Sequence, residues 1–152
     1  MPRNWTRQLY ATEDKLRLWQ YLPFMDMGDA ASAIRSIQAQ PFWRTFVPNA
    51  PVIVTVQKAK TWDEDGGVHR ERLRRVKGGQ EFVITYSLGV TSFGFTVHEV
   101  SHIALPWPKR DAHTDEYMRC YLGLWRLYTR RPTFDLVLGE LRGRGVPVEE
   151  FV

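Results

Sequence analysis

Apolar residues recur at helical intervals through the first forty positions. Leu9, Leu16, Trp19 and Leu22 stand among charged neighbours and predict an amphipathic helix over 9–22, begun near Thr12 and ended by Pro23. Asp29 is a good N-cap for a second helix, in which Ala30, Ala33, Ile34 and Ile37 recur until Pro41 interrupts. Phe42-Trp43-Arg44-Thr45-Phe46 fits a single helical turn, and Pro48-Asn49-Ala50-Pro51 marks a sharp loop.

The pattern then changes. Val52-Ile53-Val54-Thr55-Val56 and Phe82-Val83-Ile84-Thr85-Tyr86 are dense in β-branched and aromatic residues and predict two strands that pair. Asp63-Glu64-Asp65-Gly66-Gly67 reads as a turn between them. The stretch from His69 to Lys77 alternates charge with Leu73 and Val76, as an exposed edge strand would, and Gly78-Gly79 would close it as a hairpin.

From Ser92 helical spacing returns. Phe95, Val97, Val100, Ile103 and Ala104 fit one helix, capped by Thr91 or Ser92 and stopped by Pro106. Tyr117, Tyr121, Leu124 and Tyr128 place another over 114–129. Pro132 opens a last helix that runs through Leu141 and ends at Gly143 and Gly145. There is no internal repeat and no low-complexity tract. Helices flanking a few strands predict an α+β fold with a small mixed or antiparallel sheet.

Composition narrows the class. With 152 residues, of which 43% are hydrophobic and 25% charged, the chain suits one domain spanning 1–152 with a genuine core, and disorder is disfavoured. Cys120, the single cysteine, has no partner for an internal disulfide, which points to a reducing compartment. The start lacks a signal-peptide pattern, and no run of about eighteen apolar residues occurs. The expectation is a soluble, cytoplasmic protein without a membrane partner. A net charge of +4 is compatible with weak attraction to phosphates or acidic substrates and decides nothing alone.

The chemistry concentrates on the helix after Ser92. His98-Glu99-Val100-Ser101-His102 is an H-E-x-x-H motif, whose four-residue spacing puts both imidazoles on one helix face, one turn apart, where a single metal ion can bridge them. A hydrolytic zinc site takes three protein ligands and leaves a fourth position to water. His113 is the candidate third ligand, because it follows a Pro-containing turn and opens the next helix, where the chain can fold back. Glu99 then projects beside Zn2+ rather than onto it, as a general base. Two histidines four apart often pack harmlessly on an amphipathic helix. Here three of the chain's four histidines fall within sixteen residues, behind strand signals and inside a helix.

Around that motif the chain resembles an HExxH metallohydrolase family of actinobacteria, mainly mycobacteria, and their phages. The likeness covers nearly the whole length. It rests on Leu9-Tyr10-Ala11-Thr12-Glu13-Asp14, on Gln40-Pro41-Phe42-Trp43, on Ala50-Pro51-Val52-Ile53-Val54-Thr55-Val56, on the H-E-x-x-H helix and on Gly145-Val146. Where the family has H-G-P-E-F, this chain has His113-Thr114-Asp115-Glu116-Tyr117, a departure at the start of the next helix that keeps the histidine and the aromatic residue. The same pattern looks, more distantly, like that of SprT-like zinc metalloproteases. The resemblance implies a zincin-like core and hydrolase chemistry without naming a substrate. Peptide bonds are what H-E-x-x-H sites most often cleave, so a metallopeptidase acting on a peptide or protein is the first expectation.

Neighbouring residues carry weaker readings. Asp111 and Asp115 would either orient a ligand imidazole or, more commonly, serve the start of the helix after His113. Tyr117 would aim its hydroxyl at an oxyanion or, more commonly, wedge against the H-E-x-x-H helix. Cys120 reads as a buried neutral thiol, and His69 as a surface residue. The basic run from His69 to Lys77 suits a charge-guarded edge more than a nucleic-acid contact, although SprT-like proteases act on DNA-associated proteins. The competing function is a non-catalytic binding protein, for nucleic acid or a host protein, with a structural metal. A metal-free helical scaffold is the third reading. Oligomeric state is not legible.

Overall fold

The computed structural model describes residues 3–47, 52–71, 79–105 and 113–152, without the side chains of 68–71. Asp111, the 72–78 part of the expected basic edge and its turn, the expected loop at 48–51 and the expected stop at Pro106 lie outside the described residues. Among the described residues six α-helices accompany three β-strands: α1 Thr6–Leu16, α2 Met27–Ala39, α3 Pro41–Arg44, β1 Val52–Lys58, β2 Gly67–Glu71, β3 Gln80–Tyr86, α4 Phe93–Ile103, α5 Asp115–Tyr128 and α6 Arg131–Gly143. Single 3-10 turns follow α1, at Leu18–Gln20, and α6, at Val148–Glu150. This is an α+β arrangement, as the alternation of patterns predicted.

The sheet is mixed, with strand order β1-β3-β2. β1 runs parallel to β3 from Val52 opposite Gln80 to Lys58 opposite Tyr86, and β2 runs antiparallel to β3 from Gly67 opposite Thr85 to Glu71 opposite Glu81. β3 is therefore central, and Phe82 through Tyr86 are all buried, which explains why its sequence is a continuous apolar run rather than an alternation. β2 lies at the edge, where the charged stretch belongs. α4 packs against β3, β2, α5 and α2, and all of Phe93–Ile103 except Phe95 is buried, so the motif helix lies inside the molecule. One core joins Leu9 of α1, Ile34 and Ile37 of α2, Phe82 and Ile84 of β3, Val97 and Val100 of α4, Trp125 of α5 and Val137 of α6.

Two helix starts differ from expectation. The first helix begins at Thr6 rather than near Thr12 and ends at Leu16, because Arg17 takes the left-handed conformation (φ 54°) and turns the chain into the 3-10 segment. Trp5, at the N-cap position, makes no side-chain cap; Asn4 Oδ1 accepts from the Thr6 N–H at 3.0 Å, and the approach is fixed from outside by the Trp5 N–H donating to the His113 carbonyl at 2.8 Å. The second helix is capped by Asp26, whose extended backbone lets its carboxylate accept from the Asp29 N–H at 3.0 Å. Asp29 sits in the first turn and reaches back to the Met25 N–H at 2.9 Å, a reciprocal arrangement like a capping box. Pro41 stops α2 and at once serves as the first residue of α3.

The seat of α4 is built from the segment after α1. Ser92 caps the helix by accepting from the Phe95 N–H, and the two free N–H groups of Phe93 and Gly94 donate to the Leu22 and Tyr21 carbonyls at 2.9 and 3.1 Å. That close docking requires glycine: a Cβ at position 94 would stand 1.6 Å from the Leu18 carbonyl oxygen, which is backbone and cannot step aside. Tyr86 ties the same helix to the sheet through a 2.6 Å hydrogen bond with the Thr96 hydroxyl, and burial pushes its own pKa up to about 12.

Gly94→Ala is expected to cost at least about 2 kcal/mol of stability, by overpacking against fixed backbone. Gly139→Ala, on the exposed side of α6 with open space around it, is expected to gain about 0.5–1 kcal/mol. Urea midpoints of both variants against the parent check the pair; equal midpoints would show that α4 is not seated on the Leu18 carbonyl.

Candidate metal centre

The three histidines expected as ligands come together. One ligand atom from each of His98, His102 and His113 lies within 4.8 Å of the others, and all three rings are buried. α4 supplies the first two a turn apart. His113 arrives from the segment immediately before α5, whose N-cap is Thr114. Tyr117, one turn into α5, touches all three rings and donates its hydroxyl to the His98 carbonyl at 2.9 Å, so it locks α5 onto α4 in the position that brings His113 over the motif. That is the packing role; the oxyanion role gains no support, because the hydroxyl is already engaged. Burial first, and then the nearby carboxylates Glu13 and Glu99, hold that phenol well above its ordinary pKa.

Hydrogen bonds at the far side of two rings decide which nitrogens face inward. His98 Nδ1 lies 3.0 and 2.9 Å from the two carboxylate oxygens of Glu13, a buried residue of α1. A carboxylate only accepts here, so Nδ1 carries the proton and Nε2 points to the site. His113 Nδ1 lies 2.7 Å from the Thr6 hydroxyl, which itself donates to Asn4 Oδ1 at 2.6 Å. The hydroxyl proton being committed, His113 Nδ1–H is the donor in that contact too. Both Nε2 atoms then face each other at 3.3 Å.

That gap suits a single positive centre, either one shared proton or a metal ion. Tetrahedral zinc with nitrogens at about 2.0–2.1 Å sets them about 3.3–3.4 Å apart, so the His98 and His113 nitrogens already stand at the spacing that a zinc ion imposes. The donor set, three imidazoles of which His98 and His113 have fixed tautomers, fits zinc chemistry. The electrostatics agree: burial, reinforced by the His98 ring, drives the His113 pKa down to about 3 and keeps its lone pair available. For His98 burial acts downward as well, but the Glu13 carboxylate outweighs it and holds the ring above its ordinary value.

Glu99 is buried and lines an open cleft of about 410 Å³ together with Tyr10, Glu13, Asp14, Trp19, Phe95 and His98. Glu99 thus borders the open space beside His98, and the group of three imidazoles does not include it. Asp115 does not orient an imidazole: its oxygens take Arg3 at 2.6 Å and Trp5 Nε1 at 2.8 Å, which ties the N-terminal segment down next to His113. Burial of Cys120 pushes its thiol up to about 12 against a hydrogen bond from Ser101, matching the inert, buried role expected for it. His69 lies on the edge strand β2.

Glu13 is the residue that sequence reasoning missed. Its segment, Leu9 to Asp14, stood out only for its likeness to the metallohydrolase family, and nothing in its helical spacing set a carboxylate against a histidine 85 positions away. A ligand's outer partner is typically worth 10–100-fold in metal affinity. Glu13→Gln is therefore expected to lower zinc affinity by that factor in competition with a chromophoric chelator, while Asp115→Asn, which touches no ring, is expected to leave it within about threefold. Unchanged affinity in the first variant would remove Glu13 from the site. No protein-family model matches this chain, and neither a curated protein nor a solved structure matches it.

Proposed function

We propose that this protein is a zinc-dependent hydrolase of the HExxH type, with His98, His102 and His113 as metal ligands, Glu99 as general base and a peptide bond as substrate. The single observation that carries the reading is the convergence of three buried imidazoles, two of which, His98 and His113, have their outward nitrogens already bonded, beside an open cleft into which a carboxylate faces. Structural zinc sites close with four protein ligands, whereas among the described residues this group stops at three. That difference favours catalysis over a structural staple. The likeness to the actinobacterial and phage HExxH family and to SprT-like proteases, together with a motif helix laid against a small mixed sheet, supports a zincin-like core.

When bound, zinc supplies Lewis-acid polarisation of a carbonyl and acidifies a water toward pH 7. The chain's own groups do the rest. The Glu99 carboxylate accepts the proton of the attacking water as its oxygen bonds to the carbonyl carbon, and delivers that proton to the amide nitrogen as the C–N bond breaks. Glu13 and Thr6 hold the rings of His98 and His113 in one tautomer and orientation throughout. Tyr10, whose ring stacks at 5.7 Å from His98 and meets His113 edge-on at 5.2 Å, shields the two rings from bulk water on the cleft side.

Purified protein is expected to hold close to one zinc per chain by elemental analysis. Glu99→Gln should keep that zinc and lose at least about 100-fold in turnover, the size of a general-base contribution. Wild-type turnover in a Glu99→Gln protein of full zinc content would end the assignment of the base, and a wild-type protein purified under metal-replete conditions without zinc would end the reading altogether.

A further inference from the structure

The cleft beside Glu99 has a chemistry of its own. α1 lays Tyr10 and Asp14 along one of its walls, four residues and hence about one helical turn apart, with Glu13 between them turned inward to His98. Trp19 and Phe95 add aromatic surface. Tyr10 is 48% exposed although its ring packs on His98, so an aromatic face is presented to solvent beside the reacting centre. Asp14 is exposed at the rim, and among the described residues it makes no ion pair.

The charge of the cleft opposes that of the protein. The chain carries a net +4, yet among the described residues no lysine or arginine lines this space, while three carboxylates do. One of them is spent on His98 and one is the base, and together they offset the two charges of a bound zinc ion. The charge of Asp14 is left over. Aromatic faces attract a cation through their quadrupole, and a partly exposed carboxylate one helical turn away adds an ion pair. A carboxylate side chain of a substrate would meet only repulsion here.

Building on the peptidase reading, we propose that this cleft selects substrates with a cationic side chain, arginine or lysine, next to the bond to be cleaved, the cation lying between the Tyr10 ring and the Asp14 carboxylate. Both groups border the reacting centre: Tyr10 stacks on His98 itself, and Asp14 directly follows Glu13, the partner of His98, on the wall of the cleft that Glu99 also lines. The long apolar stem of arginine or lysine covers the aromatic surface of Trp19 and Phe95 while its head meets Asp14.

The test is a binding experiment that needs no turnover. Blocked pentapeptides of alanine, differing only at the central residue (arginine, glutamine or glutamate), are titrated calorimetrically into zinc-loaded Glu99→Gln protein. The arginine peptide should bind about tenfold more tightly than the glutamine peptide, and the glutamate peptide weakest, with the preference shrinking as salt is raised. Adding Asp14→Asn should remove most of the arginine preference, Asp14→Lys should reverse the order, and Tyr10→Ala should weaken arginine more than glutamine. Equal affinity for the three peptides, no binding of any of them, or a preference untouched by every Asp14 substitution would overturn the proposal. Cleavage by the wild-type protein separates this from the underlying reading. Glu99-dependent hydrolysis without arginine preference would leave the peptidase and remove the cation site. Arginine-selective binding with no hydrolysis of any peptide would do the reverse.

Discussion

The arrangement of the whole site depends on two imidazole nitrogens being forced to within 3.3 Å of each other. Left alone, two lone pairs in a buried space repel, and the rings would turn to relieve it. They are prevented from turning by bonds at their opposite nitrogens: Glu13 grips His98, and the Thr6–Asn4 pair grips His113. A positive centre between them, a shared proton or a metal ion, removes that repulsion. This is a demand on α1, which supplies Thr6 and Glu13, more than on the motif helix that carries two of the ligands.

That demand explains how the N-terminal part of the chain is anchored. α1 is fixed at its start by the Trp5 N–H on the His113 carbonyl and by Asp115 holding both Arg3 and Trp5. Beyond its end, the reversal at Arg17 delivers the Leu18–Leu22 carbonyls to the first turn of α4, which carries His98. The helix that orients the imidazoles is therefore clamped to the histidine-bearing segments at both ends. The exposed Arg3 ion pairs add little energy by themselves. Their value is geometric, whereas the buried Glu13–His98 pair is costly to break because the Glu13 carboxylate left alone is an uncompensated charge away from water.

Burial of the motif helix follows from the same economy. Ten of the eleven residues of α4 are buried, including His98, Glu99 and His102. Polar groups at such positions need partners, and the structure gives them local ones where it can: Ser101 donates to the Val97 carbonyl at 2.7 Å and Thr96 to the Ser92 carbonyl at 2.9 Å. The titratable side chains instead face one another and the cleft. Packing thereby separates inert polarity from reactive polarity along a single helix.

Much of the fold could be read from the chain, because its signals are local. The β-branched runs gave β1 and β3, Ser92 gave the cap of α4, and the apolar period gave α5 and α6 nearly to the residue. The two histidines of the motif needed only the helical repeat, and His113 only its nearness in sequence. What depended on contacts between distant positions was not legible. Asp26 displaced Asp29 as cap through backbone conformation, α1 began early because His113 holds its approach, and β1 paired parallel with β3 although β2 intervenes. Glu13 belonged to the site only because the fold sets its carboxylate, on α1, against His98 of α4. Period and capping act over four residues and are written in the sequence; the partner of a buried charge is chosen by how helices cross, and only the packed chain decides that.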